Sequence, residues 1–510
     1  MNFRLGFLAA LFCLGTVTAQ EEPIFGYGDV VKKAEGLAQQ PFAPQLQQLS
    51  PDLQNLDYDL YRRIRFLPEH TVWPSLPYRL GFFHPGYYYK QRVLFHAIEP
   101  DRIRDIPFSP SYFHYDKEIV FSGRETFAGL KVYIPSTRPG VQDEFLSFLV
   151  ASYFRAIAKG LHWGLSTRGL GVDTGLSPEE FPSFCEFWIR QPKPTDTSLQ
   201  FYALLDSQSV TGGYQFNVHY GETTTMDVQA TVFFRKKTQV VILAPLTSMF
   251  YFGENTVNKP TLKPDYQHTG KTEFSMNKTD FKRRESEVHD SDGLLMETAS
   301  GEKLWVPLDN PKSVVVRRFS DVTSFSLLQR DRDLNHYLDL EAEYHRRPNL
   351  TVVPKSDFGP GYVRLLEIPS IDEYSDNMVA GWELANTPEA GSRYEFAYQL
   401  VWDGKEADTN QFRVVSTTVY PNPRANETRF TVEYAKPENG ETIPVDELRP
   451  YVAANQGGQV KDIQFAPTER GWLVSFTIFD PTPPQTIDVS CVILRRDRFC
   501  SEKWLYLLNT

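Results

Sequence analysis

The sequence predicts an all-β protein: a large N-terminal β-sandwich followed by a smaller immunoglobulin-like one. Three observations carry that expectation. Apolar residues recur with period two in Lys131–Ile134, Tyr214–Val218 and Phe396–Trp402, the spacing of strands with one covered face. The chain holds 37 Phe, 26 Tyr and 8 Trp, residue types that favour strands. Its 36 prolines interrupt helices and punctuate turns between short strands at regular intervals.

Read from the N-terminus, Met1–Ala19 has one charge (Arg4), an apolar run from Leu5 to Leu14 and a small-residue exit, Val17-Thr18-Ala19. That is the layout of a cleavable secretory signal, and the run is too short to span a bilayer. Cys13 lies within it, but its neighbours do not resemble a lipid-attachment site, and no paired arginines precede the run. No later segment is apolar enough to cross a membrane, so the mature protein is expected to be soluble. Two stretches read as helix. Asp29–Ala38 places Val30, Val31, Ala34, Leu37 and Ala38 on one face, with Asp29 as cap and Pro41 beyond the end. Asp143–Lys159 is apolar nearly all round, which predicts a helix buried against a sheet.

A boundary is expected over 384–393, where Asn-Thr-Pro-Glu-Ala-Gly-Ser breaks the periodic pattern. It separates a domain over 20–383 from a second over 394–510, whose alternating strands include Trp472–Ile478 and Ile487–Cys491. Phe252–Glu287 is polar and weakly patterned, basic in its second half through Lys278, Lys282, Arg283 and Arg284, and reads as a long loop.

The formal charge is −11, or −12 without Arg4, which argues against nucleic acid or anionic lipid as partner. The abundant aromatic rings also suit stacking on sugars. Three cysteines remain after the signal: Cys185, Cys491 and Cys500. Three cannot form a disulfide framework for this length, and although Cys491 and Cys500 flank a hairpin, they read better as ordinary thiols. No Cys/His spacing indicates zinc, no G-x-S-x-G indicates a serine hydrolase, and no phosphate-binding loop is present. No cofactor is expected.

Two acidic clusters are the candidates for chemistry: Glu287-Val-His-Asp-Ser-Asp-Gly293 and Ile371-Asp-Glu-Tyr-Ser-Asp-Asn377. Glycoside hydrolysis needs two carboxyl groups across a cleft, one protonated and one ionised, and Asp372 and Glu373 crowd Asp376 in sequence. The same residues also read as ordinary turns; calcium is disfavoured because the EF-hand spacing is not met. Between the clusters, Arg330, Arg332, Arg346 and Arg347 alternate with Tyr337 and Tyr344. Arginine beside tyrosine suits sugar hydroxyls, and equally suits a structural ion-pair network.

At these residues the chain resembles the periplasmic glucan biosynthesis protein G (OpgG/MdoG) family of Gram-negative bacteria and its OpgD relatives. The matching segments are Ala151-Ser-Tyr-Phe-Arg155, Gly164–Leu170, Glu180–Phe184, Phe187–Ile189, Ala244–Phe250, His289–Gly293, Phe325–Arg330, Glu367–Pro369, Asp372-Glu373 and Asp376-Asn377, in one order over nearly the whole mature chain. The absence of paired arginines favours G over D.

The resemblance implies a periplasmic protein acting in the biosynthesis of osmoregulated periplasmic glucans on a β-1,2-linked glucose backbone. It implies inverting endo-β-1,2-glucanase activity with Asp376 as general acid and Asp290 as general base, the latter through a relay of water and a substrate hydroxyl. Inversion ordinarily separates the carboxyls by roughly 6.5–9.5 Å, and a relay tolerates more. Tyr344 and Arg347 are the substrate-binding candidates, β-1,2-glucan and the membrane glucan synthase the expected partners. The alternative is a non-catalytic glucan-binding or assembly factor in the same pathway. Two departures stand out: Thr351 follows the Arg347-Pro motif where the family usually has tryptophan, and the loop before Asp290 is longer than usual.

Overall fold

A computed structural model of the chain describes residues 24–44, 46–136, 141–257, 286–406, 410–437 and 443–509. The segment 1–19, expected from sequence to be a secretory signal, and most of the Phe252–Glu287 stretch lie outside them. The described chain is all-β. A ten-stranded sheet includes, side by side, Gly129–Pro135, Gln142–Leu149, Tyr153–Ala156, Ser166–Arg168, Val241–Ser248 and Met378–Leu384. It faces a fifteen-stranded sheet, and the core between them is dense in rings, among them Phe148, Phe154, Phe187, Phe201 and Phe216. No helix among the described residues is long and apolar enough to cross a membrane.

The fifteen-stranded sheet does not stop at the first core. Strand Lys303–Pro307 pairs in parallel with Lys503–Asn509 (Leu304 with Lys503, Trp305 with Trp504) and so continues into the second sandwich. There Leu448–Ala454, Thr486–Arg495 and Lys503–Asn509 are covered by a four-stranded sheet built from Arg413–Asn422, Glu427–Ala435, Gly471–Phe479 and Gln459–Pro467. The strand Arg393–Asp403, assigned from sequence to the second unit, pairs with Thr224–Phe234 and Asn349–Pro354 of the first. Its apolar residues Phe396, Tyr398, Leu400 and Trp402 fill the first core, and the chain joins the second core from Phe412. The irregular stretch at 384–393 is therefore a connection between two strands of the same sandwich.

The segment Asp143–Lys159 is a hairpin rather than a helix, with strands Gln142–Leu149 and Tyr153–Ala156 closed by Val150 and Ala151 at φ 62° and 49°. A bulge opposite Val132 and Tyr133 turns Phe145 and Leu146 both inward. The bulge removes the alternation that distinguishes a strand from a buried helix. The other helix forms at Tyr27–Ala38 and buries Val30, Val31 and Ala34. Its cap is Gly26, whose N–H donates to the Asp29 carboxylate at 2.9 Å. Gly213 is required beneath it, because a Cβ there would sit 2.8 Å from the Val31 nitrogen. Cys185, Cys491 and Cys500 are free thiols.

The two sandwiches are joined by a charged clasp as well as by backbone. The Arg330 guanidinium, almost wholly enclosed, donates to both carboxylate oxygens of Glu406 (2.7 and 2.7 Å) and of Glu502 (2.8 and 2.7 Å) and to the Val414 carbonyl (2.6 Å). Its plane lies 3.7 Å from the centre of the Trp305 ring. Removing one member of a buried, fully hydrogen-bonded set leaves its partners charged and unpaired. Arg330→Leu is accordingly expected to destabilise the protein by about 3–5 kcal/mol, measured by thermal or urea unfolding; a loss within error of zero would show that water replaces the clasp.

Candidate active site

The site starts from the pleat of the ten-stranded sheet. Phe154 pairs with Thr167 and Thr167 with Leu246, and Phe154 and Leu246 lie in the core. Since successive side chains alternate between faces, Tyr153, Arg155, Ser166, Arg168 and Thr247 project from the opposite face. Asp376 stands two residues before Met378–Leu384, whose Val379 pairs with Thr247.

A single short stretch, 248–250, holds both acidic turns. The Asp290 N–H donates to the Met249 carbonyl at 2.8 Å, and the Ser248 and Ser291 hydroxyls share a 2.6 Å hydrogen bond. On the other side the Asn377 N–H donates to the Ser248 carbonyl at 3.0 Å. The Asn377 amide accepts from the Phe250 N–H (2.8 Å) and donates to the Phe250 and Ile368 carbonyls (3.0 and 3.0 Å). Asn377 is 2 % exposed, so this amide acts as an internal splint for its neighbour Asp376. Two turns far apart in sequence are thus fixed to one strand edge.

Asp290 forms an ion pair with Arg347 at 3.2 Å. Arg347 also lies 5.1 Å from the centre of the Tyr344 ring and packs on the bare backbone of Gly164, where a Cβ would meet its Cδ at 2.9 Å. The Tyr344 hydroxyl donates to Glu373 at 3.1 Å, tying the loop before Asp376 to the turn that carries Arg347. The four residues singled out from sequence, Asp290, Asp376, Tyr344 and Arg347, thus share one neighbourhood. The other arginines of that run do not face it. Arg330 forms the interdomain clasp, Arg332 donates to the Arg347 carbonyl (2.7 Å) and the Asn349 side chain (3.1 Å), and Arg346 pairs with Glu343 (2.7 Å). Thr351 lies in strand Asn349–Pro354, where its hydroxyl accepts from Ser326 at 2.9 Å.

The family model described as periplasmic glucan biosynthesis protein, MdoG, matches residues 25–508. The chain belongs to the MdoG family. It is similar to "Glucans biosynthesis protein G" of Ralstonia nicotianae, 36 % identical over 98 % of this chain and 99 % of that protein. The proteins of the same description in Rhodopseudomonas palustris (36 % identical; 94 % of this chain, 92 % of that protein) and Pseudomonas entomophila (34 %; 97 % and 86 %) are also similar.

Electrostatics distinguish the two aspartates of this MdoG-family chain. Asp290 is buried, and burial, reinforced by the Asp376 charge, pushes its carboxyl up to about 6 against the pull of Arg347, His289 and Arg155. Asp376 keeps an exposed surface, yet burial of its carboxyl among neighbouring atoms raises its pKa too, opposed by the Thr247 hydroxyl, Arg168 and Arg155. Asp290 Oδ1 and Arg347 Nε, both buried, face each other in the 3.2 Å ion pair without a well-directed hydrogen bond, so the pair is held by charge more than by geometry.

Behind Asp290, His289 bonds Glu287 through Nε2 (2.9 Å) and Gln329 through Nδ1 (3.0 Å). Burial alone would lower its pKa, but the Glu287 and Asp292 carboxylates outweigh that and raise it to about 9. Glu287, His289 and Asp292 come within metal-ligating reach of one another, and the ion pairs of His289 with the two carboxylates account for the cluster within the protein itself. Sequence reasoning assigned no role to Arg155, Arg168, Asn377 or Gln329. All four lie in or next to segments quoted for the resemblance, and the detectable signal was a charged residue alternating with core residues, as in Tyr153-Phe154-Arg155.

Two predictions follow from these contacts. His289 titrates at 6.5 when unfolded and about 9 when folded, so its stabilising charge is complete below 6.5 and is lost as pH rises through about 9. Glu254 is held at about 8 by burial and by Glu287, against 4.5 in the unfolded chain, so folding is penalised as pH climbs through that interval. Tm is expected to fall steadily from pH 6 to pH 9, with Glu254→Gln flattening the lower part of the slope; a rising Tm would contradict both assignments. Second, Gly164→Ala pushes Arg347 off its seat. The expected readout is a change in the Asp290 pKa by NMR titration with little loss of Tm, and an unchanged titration would place Arg347 outside its control.

Proposed function

We propose that this chain acts in periplasmic glucan biosynthesis by cutting the β-1,2-linked glucose backbone as an inverting endo-glucanase, with Asp376 as general acid and Asp290 as general base. The observation that carries the reading is the pair of carboxyls mounted on one strand edge in unlike surroundings. Asp290 is enclosed beside Arg347 and, with a pKa about 6, is mainly ionised at neutral pH, as a base must be. Asp376 faces water now; a sugar chain laid over it displaces that water and raises its pKa further, as an acid requires. Arg347 supplies a planar donor beside the carboxyls, whereas Tyr344, expected from sequence to touch substrate, is 3 % exposed and instead seats Arg347 on its buried ring. Arg155 and Arg168 project from the same sheet face. The periplasm is the compartment this reading assigns, in keeping with the family's description.

One observation favours the second reading, a glucan-binding or assembly factor working beside the membrane synthase. The 3.2 Å ion pair with Arg347 neutralises Asp290 and weakens it as a base. Counting new reducing ends on linear β-1,2-glucan separates the two readings. Asp376→Asn is expected to lower the rate by about a hundredfold or more; equal backgrounds in wild type and variant would leave only the binding role. In the wild-type pH profile, activity is expected to rise through about 6 as Asp290 ionises, and that limb should vanish in Asp290→Asn. An aryl glucoside with a good leaving group should rescue Asp376→Asn but not Asp290→Asn; the reverse would exchange their roles.

A further inference from the structure

Five tyrosines gather beside the same sheet face, away from the carboxylates. The short helix Tyr58–Tyr61 and the bend 86–90 supply them. Ring centres lie 6.1 Å apart for Tyr58 and Tyr87, 6.0 Å for Tyr61 and Tyr87, 4.9 Å for Tyr61 and Tyr89, and 4.1 Å for Tyr87 and Tyr88. The cluster is not hidden: Tyr88 is 78 % exposed and Tyr58 59 %. Presenting rings to water in this way forgoes the burial that normally accounts for an aromatic cluster.

The bend is also held in an unfavourable backbone state. Tyr87 has φ 55°, a left-handed conformation costly for a bulky side chain. Reciprocal Gly86 and Tyr89 hydrogen bonds (3.1 and 2.8 Å) and a Tyr87 N–H bond to the Leu53 carbonyl (3.3 Å) maintain it. Gly86, at φ 131°, is needed because a Cβ would crowd the Leu53 carbonyl at 3.2 Å. These contacts hold Tyr88 turned out to the surface, where a ligand can reach it.

Position and chemistry identify that ligand. The Gln91 side chain accepts from the Ala151 N–H at 3.3 Å, which fixes the bend to the start of Tyr153–Ala156. That strand carries Arg155, which projects from the same sheet face as Arg168 and Thr247. The hydrogen bond thus joins the tyrosine bend to a strand that runs to the proposed site. The exposed surface has flat faces edged with hydroxyls, and Arg62, Asp59 and Lys90 surround it. Tyr61 and Tyr87 pack inward on Leu49, Leu53 and Leu56, while the exposed faces of Tyr58 and Tyr88, edged with hydroxyls, match the C–H faces and hydroxyl rims of sugar rings. We propose that Tyr58, Tyr87 and Tyr88 form a second carbohydrate-binding surface that holds a distal part of the glucan chain occupying the cleft. The inference rests on the glucan reading above.

The test is calorimetric titration of the full-length mature protein with short β-1,2-gluco-oligosaccharides that fill only the cleft, and with long linear β-1,2-glucan. Long chains should bind more tightly than short ones. Tyr88→Ala and Tyr58→Ala should each weaken long-chain binding by about three- to tenfold, leaving short-chain binding and Tm unchanged. If short and long chains bind alike, or the variants match wild type, the tyrosine surface is overturned while the cleft reading stands. If neither chain binds, both readings fail together. Sedimentation analysis provides the remaining outcome: a wild-type dimer dissociated by Tyr88→Ala would assign the surface to a second copy of this chain instead.

Discussion

The enclosed Arg330 guanidinium is the interaction on which the rest of the molecule converges. A charge so deep is tolerable only when every donor is used, and here two carboxylates, a carbonyl and an indole face take them all. The carboxylates come from Glu406, just past the last strand of the first sandwich, and from Glu502, at the edge of the second. Backbone reinforces the charge, because Trp305 and Trp504 are register partners in the sheet that runs through both cores. The same residue reaches the site, as its N–H donates to Asp292, two positions after Asp290. The second sandwich thereby acts as a buttress for the acidic turn.

From that buttress the site is built in layers. Gln329 links the His289 ring to the Tyr344 carbonyl, so the Asp290 turn and the arginine-tyrosine turn share a buried amide. Asn377 does the same for Asp376 on the opposite side of residues 248–250. Neither amide touches the open surface. Both tie the acidic turns to the backbone around them, which fixes where the two carboxylates stand.

The sequence reading and the structure part company at places with identifiable physical causes. Hairpin 142–156 was misread because a bulge placed Phe145 and Leu146 on one side, and a strand covered on both faces shows no period. The strand Arg393–Asp403 was assigned to the wrong sandwich because its alternating pattern declares a strand without naming the sheet that receives it. The arginine run 330–347 was ambiguous for a related reason. Composition placed guanidinium groups beside tyrosines, and only packing allotted Arg330 to the clasp, Arg332 and Arg346 to carbonyl and carboxylate anchors, and Arg347 to Asp290.

By itself the sequence determined the strand-rich class, the N-terminal helix and, through its motifs, the family, and it singled out two aspartates as candidates, because these are written in local periodicity and residue identity. Tertiary structure alone decided that one sheet serves both sandwiches, that residues 248–250 carry both acidic turns, and that five tyrosines meet at a strained bend. Those are contacts between segments far apart in the chain, and a contact of that kind depends on which faces remain uncovered once the core has closed.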